Sequence, residues 1–337
     1  LSLGAILAIC LAGLQFLAVL TVVLLTYITS ERALLTHART LLSDLGNNAI
    51  LHSQGFLDPA RSTAQLAKRL AETNVIASDN TEVVEKLLFQ QLQLAPQFSG
   101  VYMGDEGGNF VFVSREKGPA QYRTKIVRYV QERRSTRLIW RDDDYNIVQS
   151  VFDMTDDFDP RDRPWYKRAK AKGGIIWTDP YIFFTSQQPG ITAASPIVEH
   201  DGTLRGVVGV DIEIQAISEF LSELKIGDNG AAMILNRNGD VIAHPNLDLI
   251  KVESADGVLD FPNINEIKDP IAKTAFSELS QMDTVDVDQE RQAEFSHAGV
   301  NYVSTLIPAQ SAEIPCTIAL YAPEDDFIGG IIDNRAR

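Results

Sequence analysis

The first thirty residues show no alternation of hydrophobic and polar positions, because the chain has no Asp, Glu, Lys, Arg or His between Leu1 and Ser30. At 1.5 Å of rise per helical residue, a run of this length spans the ~30 Å hydrocarbon core of a bilayer. It also exceeds the ~7–15-residue apolar region of a signal peptide. We therefore predict a transmembrane helix over residues 1–29, with a buried core helix as the alternative.

Beyond the apolar run, the hydrophobic positions recur at helical spacing. The pattern indicates that the membrane helix continues outward as a stalk, so residues 1–50 are expected to form one helix. Gly55 and the Asp58-Pro59 pair predict an interruption, with Pro59 in the first turn of a second helix that ends near Glu72. The apolar stripe of the stalk comprises Leu34, Leu41, Leu42 and Leu45.

A third helix is predicted to begin with Asp79 as its N-cap and Glu82 in the capping-box position. From residue 98 onward, short apolar runs are bounded by Gly, Asn and Asp, which is typical of antiparallel strands joined by tight turns. The predicted strands cover residues 98–103, 110–114, 137–140, 147–152, 177–184, 191–198, 204–212, 231–235, 241–243, 293–296, 302–307 and 317–321. Helical segments are predicted over residues 167–172, 216–224 and 271–282. The same order of elements occurs twice: a hairpin, a helical segment and an antiparallel run of three strands. This order predicts an α+β architecture with an internal repeat.

Residues 156–166 form the stretch with the most specific chemistry. Arg163 carries a planar fork of five donors that matches a carboxylate in two-pronged fashion. Trp165 and Tyr166 can wall a site and exclude water. Pro160 and Pro164 restrict the backbone, so the loop is shaped before a ligand arrives. The alternative is a surface loop in which Arg163 pairs with a neighbouring aspartate.

Composition excludes some partners. The formal net charge of −15 argues against nucleic acid, whose phosphates require an excess of Lys and Arg. The two cysteines, Cys10 and Cys316, lie far apart and predict no disulfide framework.

The sequence also lacks the motifs of common catalytic sites. We find no G-x-S-x-G, P-loop, H-E-x-x-H or C-x-x-C pattern, and the five histidines are scattered. His244, before Pro245, is expected to end a strand. The aspartates of the central loop lack EF-hand spacing, so a solvated acidic loop held by Arg161 and Arg163 is favoured over a calcium site. No enzyme, cofactor or metal is predicted for these residues.

Five motifs together resemble the double Cache sensor of bacterial transmembrane receptors, in the order that the family has them. The motifs are Arg163-Pro164-Trp165-Tyr166, Trp177-Thr178-Asp179-Pro180-Tyr181, Gly206-Val207-Val208-Gly209-Val210-Asp211, Gly227-Asp228-Asn229-Gly230 and Pro323-Glu324-Asp325-Asp326-Phe327. The resemblance implies a membrane helix, a stalk helix and two stacked PAS-like modules with antiparallel sheets. The implied organisation is a transmembrane helix (1–29), stalk and N-terminal helices (30–78), a membrane-distal ligand-binding module (79–222), a membrane-proximal module (223–325) and a return segment toward a second membrane helix (326–337).

The resemblance also implies site residues. In family members that bind amino acids, Arg and Trp of this loop hold the carboxylate, while a Tyr and the Asp after the last strand hold the amine. Two positions depart from that pattern, since Phe158 stands where the motif has a Tyr and Phe183 where many amino-acid binders have a second Asp. The amine end therefore keeps one carboxylate of two, which makes a simpler carboxylate or a smaller amine competitive with an amino acid. The implied ligand-binding residues are Arg163, Trp165, Tyr166, Tyr181, Asp211, Phe158, Phe183 and Tyr102, with Arg115 as a further candidate.

Some of these positions have structural alternatives. Asp211 lies at the end of an apolar strand before a helix, where a carboxylate that caps the helix is common. Tyr181 and Trp177 could be core aromatics at alternating strand positions.

Taken together, the expectation is the extracytoplasmic ligand-sensing region of a transmembrane receptor in a bacterial inner membrane. It would bind a small molecule in the distal module, form a parallel homodimer through the stalk stripe, and signal to a cytoplasmic cyclase, kinase or chemotaxis domain. The run 181–192 looks most like cyclase-linked members. The alternative is a ligand-free dimerisation module that responds to a periplasmic protein partner.

Overall fold

A computed structural model describes residues 3–73, 75, 80–116, 118–130, 133–199, 201–224, 226–236, 238–250, 252–253, 259–281, 290–308 and 316–327. Its helices are α1 (Leu3–Glu72), α2 (Thr81–Leu94), α3 (Pro164–Lys172), α4 (Ile214–Glu223) and α5 (Pro270–Gln281). The fold is α+β with antiparallel sheets, as predicted.

Helix α1 is a single helix of 70 residues. The predicted continuity over residues 1–50 is confirmed for the described part, but the predicted break at Gly55 and Pro59 is wrong. Pro59 lies inside the helix, and the carbonyl that its ring crowds belongs to Gly55, which is exposed and has no neighbour within 4 Å of a Cβ built on it. A row of small buried side chains holds this part of the helix against the first sheet: Ala60, Ala64, Ala67 and Ala71.

The N-terminal part of α1 stands apart from the rest of the chain. Ala12–Thr29 has a mean hydropathy of 2.0, and its side chains are exposed throughout, so it is long and apolar enough to cross a membrane. Further along, Leu45 is partly buried against the hydrophobic core. A part of the predicted stalk stripe therefore packs on its own chain; the side chains of Leu34 and Leu42 lie outside the described residues.

Helix α2 begins one residue later than predicted. Asn80 is its N-cap and accepts hydrogen bonds from the backbone N–H groups of Glu82 and Val83. The predicted cap, Asp79, lies outside the described residues.

The first sheet has nine strands in the order β5-β4-β3-β2-β1-β9-β8-β6, with β7 paired to β8. Its strands are β1 (Gly100–Asp105), β2 (Phe110–Arg115), β3 (Tyr122–Val130), β4 (Arg133–Arg141), β5 (Ile147–Asp153), β6 (Ile176–Trp177), β7 (Tyr181–Ile182), β8 (Pro189–Val198) and β9 (Leu204–Glu213). Strand β3 was not predicted, and the predicted strand 177–184 is instead the two short strands β6 and β7.

The second sheet has five strands in the order β11-β10-β16-β15-β14, and two short strands form a separate pair. These strands are β10 (Ala231–Asn236), β11 (Val241–Ala243), β12 (Val252–Glu253), β13 (Leu259–Asp260), β14 (Arg291–His297), β15 (Val300–Pro308) and β16 (Cys316–Pro323). The five-strand order matches the order β2-β1-β9-β8-β6 in the first sheet. The architectural repeat is therefore real, and β3, β4 and β5 are an extension that only the first sheet has.

The two faces of the first sheet have different coverings. One face packs against α1 and α2 in a hydrophobic core that continues into the second sheet. The other face carries a separate aromatic cluster, which includes Tyr102, Phe110, Phe112, Phe158, Trp165 and Tyr166. The segment that contains α3 covers this aromatic face and encloses a cavity.

Candidate ligand-binding site

The cavity lies between the aromatic face of the first sheet and the segment that follows β5. It has an empty volume of about 600 Å³, part of which opens to solvent. Aromatic side chains form much of its wall: Tyr102, Phe110, Phe112, Phe158, Trp165, Tyr181, Phe183 and Phe184. The charged side chains that line it are Arg115, Glu116, Arg123, Arg163, Asp211 and Glu213.

Strand pairing explains why these residues share one face. Tyr102 lies opposite Phe112 on β2 and Gly209 on β9, while Asp211 on β9 lies opposite Thr192 on β8. Because side chains alternate between the faces of a strand, residues two apart on each strand point to the same side. Pairing of these strands therefore brings residues that are far apart in the sequence onto one face of the sheet.

Asp211 is the centre of a hydrogen-bond network at one end of the cavity. The hydroxyl groups of Tyr102 and Thr192 each donate to Oδ1 of Asp211, both at 2.6 Å. The hydroxyls of Tyr181 and Thr192 are 2.8 Å apart. Since the Thr192 proton goes to Asp211, Tyr181 donates to Thr192. Two hydroxyl groups thus donate to this carboxylate, which is 6% exposed, and a third is linked to it through Thr192.

The environment of Asp211 changes its acidity. Burial raises the pKa of Asp211 to about 7, against the hydrogen bonds from Thr192 and Tyr102, which lower it. Glu213 raises the pKa of Asp211 further, and Arg163 is close enough to lower it. Burial and the charge of Asp211 also raise the pKa values of Tyr102 and Tyr181. A buried carboxylate of this kind is stabilised in its ionised form by a cation that enters the cavity.

Asp211 does not cap the following helix. Helix α4 begins at Ile214, and its N-cap residue is Glu213, without a side-chain capping bond. The capping alternative for Asp211 is therefore wrong.

Arg163 is placed at the cavity wall by the turn that precedes α3. Asp159 accepts a hydrogen bond from the backbone N–H of Arg161 and starts a 3₁₀ turn, and Pro164 then occupies the first turn of α3. Arg163 is the residue between the two, with an extended backbone. Its guanidinium carbon lies 5.3 Å from the ring centroid of Phe184 and 6.0 Å from that of Phe158.

The aspartates beside Arg163 are engaged by other cations. Asp159 pairs with Arg161 at 2.6 Å, Asp162 with Lys167 at 3.2 Å, and Asp156 with both Lys125 and Arg134. Within the described part of the chain, Arg163 has no ion-pair partner. The alternative in which Arg163 pairs with a neighbouring aspartate is therefore wrong, and the expected role of Arg163 in holding the acidic loop falls to Arg161, Lys125 and Arg134.

The extension strands β3 and β4 hold this loop in place. Lys125 and Thr136 lie on these strands and contact Asp156, while Arg134 also donates to the carbonyl of Phe158 at 2.9 Å. Burial lowers the pKa of Lys125, and the contact with Asp156 opposes that change. The extension therefore fixes the ring of Phe158 at the cavity wall.

The cavity contains seven of the eight side chains expected from sequence: Tyr102, Phe158, Arg163, Trp165, Tyr181, Phe183 and Asp211. Tyr166 is fully buried beside them, and its hydroxyl donates to Glu106 at 2.9 Å outside the cavity lining. Trp177 belongs to the core on the opposite face of the sheet. Thr192, Phe110 and Phe112 were not predicted, although their positions alternate with core residues on strands that were. Phe184 was not predicted either, and it lies in the turn after β7.

The other charged residues of the cavity have interaction partners within the chain. Arg115 donates to the backbone carbonyls of Leu92, Ala95 and Phe98, and Arg123 pairs with Glu116 at 2.9 Å. Among the described residues, no group of three or more His, Cys, Asp or Glu side chains could hold a metal ion. Arg163 and Asp211 are therefore the cation and the anion left to meet a ligand.

Comparison with known families gives one match over most of the chain. A family model described as Cache domain, of the double Cache type, matches residues 31–331.

The solved structures that resemble the fold are sensor domains. The ligand-binding domain of the Pseudomonas fluorescens chemoreceptor CtaA, in complex with L-isoleucine, is 21% identical and covers 90% of this chain and 99% of its own, with a TM-score of 0.57. The corresponding domain of PctB from Pseudomonas aeruginosa, in complex with L-Arg, is 18% identical and covers 85% and 95%, with a TM-score of 0.54. At these identities the likeness concerns the fold.

Curated relatives match shorter segments. The methyl-accepting chemotaxis protein PscA of Pseudomonas syringae pv. tomato is 36% identical over 94 residues, which is 28% of this chain and 15% of that protein. McpB of Bacillus subtilis is 26% identical over 204 residues, or 60% of this chain and 24% of that protein. The matched segments thus span about a quarter or less of these relatives' own length.

Proposed function

The chain belongs to the double Cache family of receptor sensor domains, and we propose that it binds an amphoteric metabolite in the cavity beside Arg163 and Asp211. The family is one of sensors, so the expectation that these residues form no enzyme is confirmed. The proposed ligand carries a carboxylate for Arg163 and a cationic nitrogen for Asp211. The solved relatives hold amino acids, which have these two groups.

The observation that carries the proposal is an unpaired cation and a buried carboxylate in the wall of one cavity. Arg163 is partly buried and has no ion-pair partner in the described chain, although four aspartates lie within seven residues of it. Asp211 is buried with a pKa raised to about 7. Leaving both charges without ligand partners costs stability, and such costs are typical of binding sites.

We further propose that the domain assignment follows the two sheets. Residues 79–222 would form the distal module that binds the ligand, and residues 223–325 the proximal module. Helix α1 supports this arrangement, because it runs from the apolar segment past the second sheet to the first without interruption. A small shift of one module could therefore be passed along one rigid element.

The proposed setting is the inner membrane of a bacterium, with the sheets in the periplasm. The exposed apolar side chains of Ala12–Thr29 require a cover of lipid or of another helix. We propose a parallel homodimer in which the two copies of α1 lie side by side on the N-terminal side of Leu45. From Leu45 onward, α1 packs against the hydrophobic core of its own chain. The longer protein would pass the signal to a cytoplasmic output domain.

Binding can be tested with the chain in nanodiscs. A thermal-shift screen over amino acids, organic acids, amines and purines should find a ligand that, at ~100 times its Kd, stabilises the protein by ~2.7 kcal/mol. Arg163→Ala should weaken a carboxylate ligand by ~30-fold or more, since a buried charged hydrogen bond contributes about 2–5 kcal/mol.

Arg168→Ala is the matched control, because Arg168 lies nearby on α3 but pairs with the exposed Asp179 and does not line the cavity. It should leave the affinity unchanged. A screen without any ligand for the folded wild type would reject the proposal and favour a ligand-free module that responds to a protein partner.

The dimer can be tested by cysteine crosslinking in membranes. Cysteines at positions 34 and 41 should crosslink between copies, and the yield should change when ligand is added. An absence of crosslinks, or crosslinks that no ligand alters, would contradict the proposed stalk dimer.

A further inference from the structure

The outer edge of the first sheet is a long strand with one free side. Strand β5 ends the strand order of the nine-stranded sheet, so it is paired only to β4. Six of its seven residues are exposed. The strand at the opposite end, β6, has two residues, and β14 at an edge of the second sheet packs against α5. Among the described strands, β5 is therefore the one long edge that is left open.

The side chains of this edge are largely apolar. Val148 is 53% exposed, Phe152 66%, and Met154, directly after the strand, 86%. Strand β5 contains no Lys, Arg or Pro, and its register shift lies at its N-terminal end. Proteins usually protect an open edge with such residues and irregularities, because the free backbone N–H and C=O groups pair with other strands. An apolar edge with so little protection indicates a surface for strand pairing.

Lipid is too far away to cover this edge. Helix α1 is continuous from the apolar segment Ala12–Thr29 to the alanines that hold the first sheet, which begin at Ala60. Because each helical residue adds about 1.5 Å, the first sheet lies ~45 Å beyond the end of the apolar segment. A partner of β5 must therefore approach through water.

A second copy in the same membrane does not fit this edge either. The strands of this sheet pair antiparallel, and two copies of one edge strand that pair in this way are related by a two-fold axis perpendicular to the sheet. Helix α1 lies along the face of the sheet, against β8 and β9. The rotation would therefore point the two copies of α1 in opposite directions, whereas one membrane anchors both from the same side.

Both ends of β5 carry exposed carboxylates. Asp143 and Asp144 lie in the turn before the strand, and Asp157 follows it. No Lys or Arg occurs between residues 142 and 157. Because complementary charges steer a partner and fix its register, this edge fits a strand with basic residues beyond both ends and repels an acidic one.

The length of the edge favours a folded partner over a free peptide. Strand β5 offers seven residues for pairing, and a free peptide would lose conformational entropy at each residue that it orders on binding. A strand at the edge of a folded protein has already lost this freedom. In strand addition the main chain supplies affinity, and the side chains at alternate positions supply selectivity.

We propose that β5 docks the edge strand of a soluble periplasmic protein, and that this strand alternates apolar and polar residues between Lys or Arg residues at its two ends. The proposal rests on the membrane setting proposed above and is independent of the ligand in the cavity. The main chain of the partner extends the first sheet by one strand. Its apolar side chains contact Val148 and Phe152, and its basic ends meet Asp144 and Asp157.

A cyclic β-hairpin peptide serves as the probe, measured by calorimetry on the chain in nanodiscs. Its outer strand alternates valine and threonine over seven residues, to match β5, with a lysine at each end. The probe should bind and slow amide hydrogen exchange over residues 147–153. N-methylation of the outer amides removes their donors and should weaken binding by ~10-fold or more, and glutamates in place of the lysines should do the same.

Variants of the edge test the same contact from the side of the chain. Val148→Lys and Phe152→Lys replace exposed apolar side chains by cations and should each weaken the probe by ~10-fold or more. Because both side chains are exposed, thermal unfolding should stay that of the wild type. Val300→Lys is the matched control, since Val300 is 39% exposed on the second sheet and should leave the affinity unchanged.

Four results would overturn the proposal. The first is a probe that does not bind, and the second is a probe that binds equally well with N-methylated amides, because apolar adhesion would then replace strand pairing. The third is protection from hydrogen exchange outside β5. The fourth is crosslinking between copies that carry Ser150→Cys in membranes, which would assign the edge to a second copy. None of these results depends on the cavity screen, so the two proposals fail separately.

Discussion

The two sheets share one strand order but place different groups at the same position. Asp211 on β9 lies opposite the first residue of β1, and Tyr321 on β16 lies opposite the first residue of β10. Both side chains are almost fully buried, at 6% and 5% exposed. Asp211 faces the cavity, whereas the Tyr321 hydroxyl donates to Asp269 at 2.7 Å. At this position the first sheet places a carboxylate in the cavity wall, whereas the second sheet places a tyrosine whose hydroxyl is hydrogen-bonded within the chain.

Asp211 and Asp269 are both buried carboxylates, but their surroundings shift their pKa values in opposite directions. Burial raises the pKa of each, but Asp269 also lies 3.5 Å from Nε2 of His244 and receives hydrogen bonds from Tyr321 and the backbone N–H of Ala272, and these neighbours together lower its pKa to about 2. Asp211 receives two neutral hydroxyls, and its pKa stays raised at about 7. Deeper burial and fewer hydrogen-bond donors together keep the pKa of Asp211 raised, whereas the neighbours of Asp269 stabilise its charge.

The largest effect expected from this contrast is the pH dependence of Asp211. Because its folded pKa is raised from 3.8 to about 7, the folded state holds a proton that the unfolded state releases, and stability falls as pH rises through this window. Asp211→Asn removes that loss. The variant should match the wild type near pH 4 and exceed its free energy of unfolding by up to ~4 kcal/mol above pH 7.

Urea denaturation at several pH values measures this difference, and the ligand supplies a second readout. Asp211→Asn should lose affinity for a cationic ligand while it gains stability. A variant that is less stable than the wild type at pH 8 would show that Asp211 is a structural carboxylate like Asp269.

The next largest effect is expected in the second sheet. Asp269→Ala removes two backbone capping bonds at the start of α5 and leaves Tyr321 and His244 buried without this partner. We expect a loss of ~3 kcal/mol of stability, greatest above pH 4 because the lowered pKa of Asp269 stabilises its ionised form. Ligand affinity at the first sheet should stay within ~2-fold.

Asp248→Ala is the control, since Asp248 is exposed on a nearby turn. If Asp269→Ala abolished ligand binding without unfolding the protein, the second sheet would take part in recognition, and the contrast between the two sheets would be incorrect.

Much of the fold follows from local sequence signals. Tight turns that contain glycine mark the ends of most strands. The long apolar run and the helical spacing that follows it predicted the greater part of α1. The break predicted at Pro59 failed because the packing of Ala60, Ala64 and Ala67 against the sheet outweighs the missing backbone hydrogen bond. Strand β3 was missed because Lys125 and Thr124 interrupt its apolar pattern, and both are buried through contacts that pairing with β2 and β4 creates.

The site was predictable at the residues whose chemistry is unusual for their position. Arg163 among aspartates and Asp211 in an apolar strand carry such signals, and both line the cavity. Thr192 carried none, because a threonine in a strand is ordinary and only strand pairing brings it opposite Asp211. Tyr166 follows Trp165 in the motif, but helix α3 turns successive side chains ~100° apart, so the two point in different directions.

The smallest expected effect concerns how each sheet holds α1. The first sheet contacts a row of alanines, whereas the second approaches the helix at Gly46, where an added Cβ would lie 2.1 Å from Ile307 and 3.1 Å from Leu320. Gly46→Leu must push these flexible side chains aside, at a cost of ~1–3 kcal/mol, offset by ~1 kcal/mol of gained helix propensity. We therefore expect a net loss of ~1 kcal/mol, measured by thermal unfolding.

Gly55→Leu separates packing from propensity. Gly55 also lies within α1, outside the apolar segment, and has no neighbour within 4 Å of an added Cβ, so this variant gains helix propensity without the collision. If Gly46→Leu lowers stability while ligand affinity is unchanged, the packing of the second sheet against α1 is independent of the binding site. If it changes affinity as well, the position of the helix at the second sheet is coupled to the cavity in the first. Such coupling is what a receptor that signals through α1 requires, because the ligand shifts the helix only by its differential affinity for the two positions.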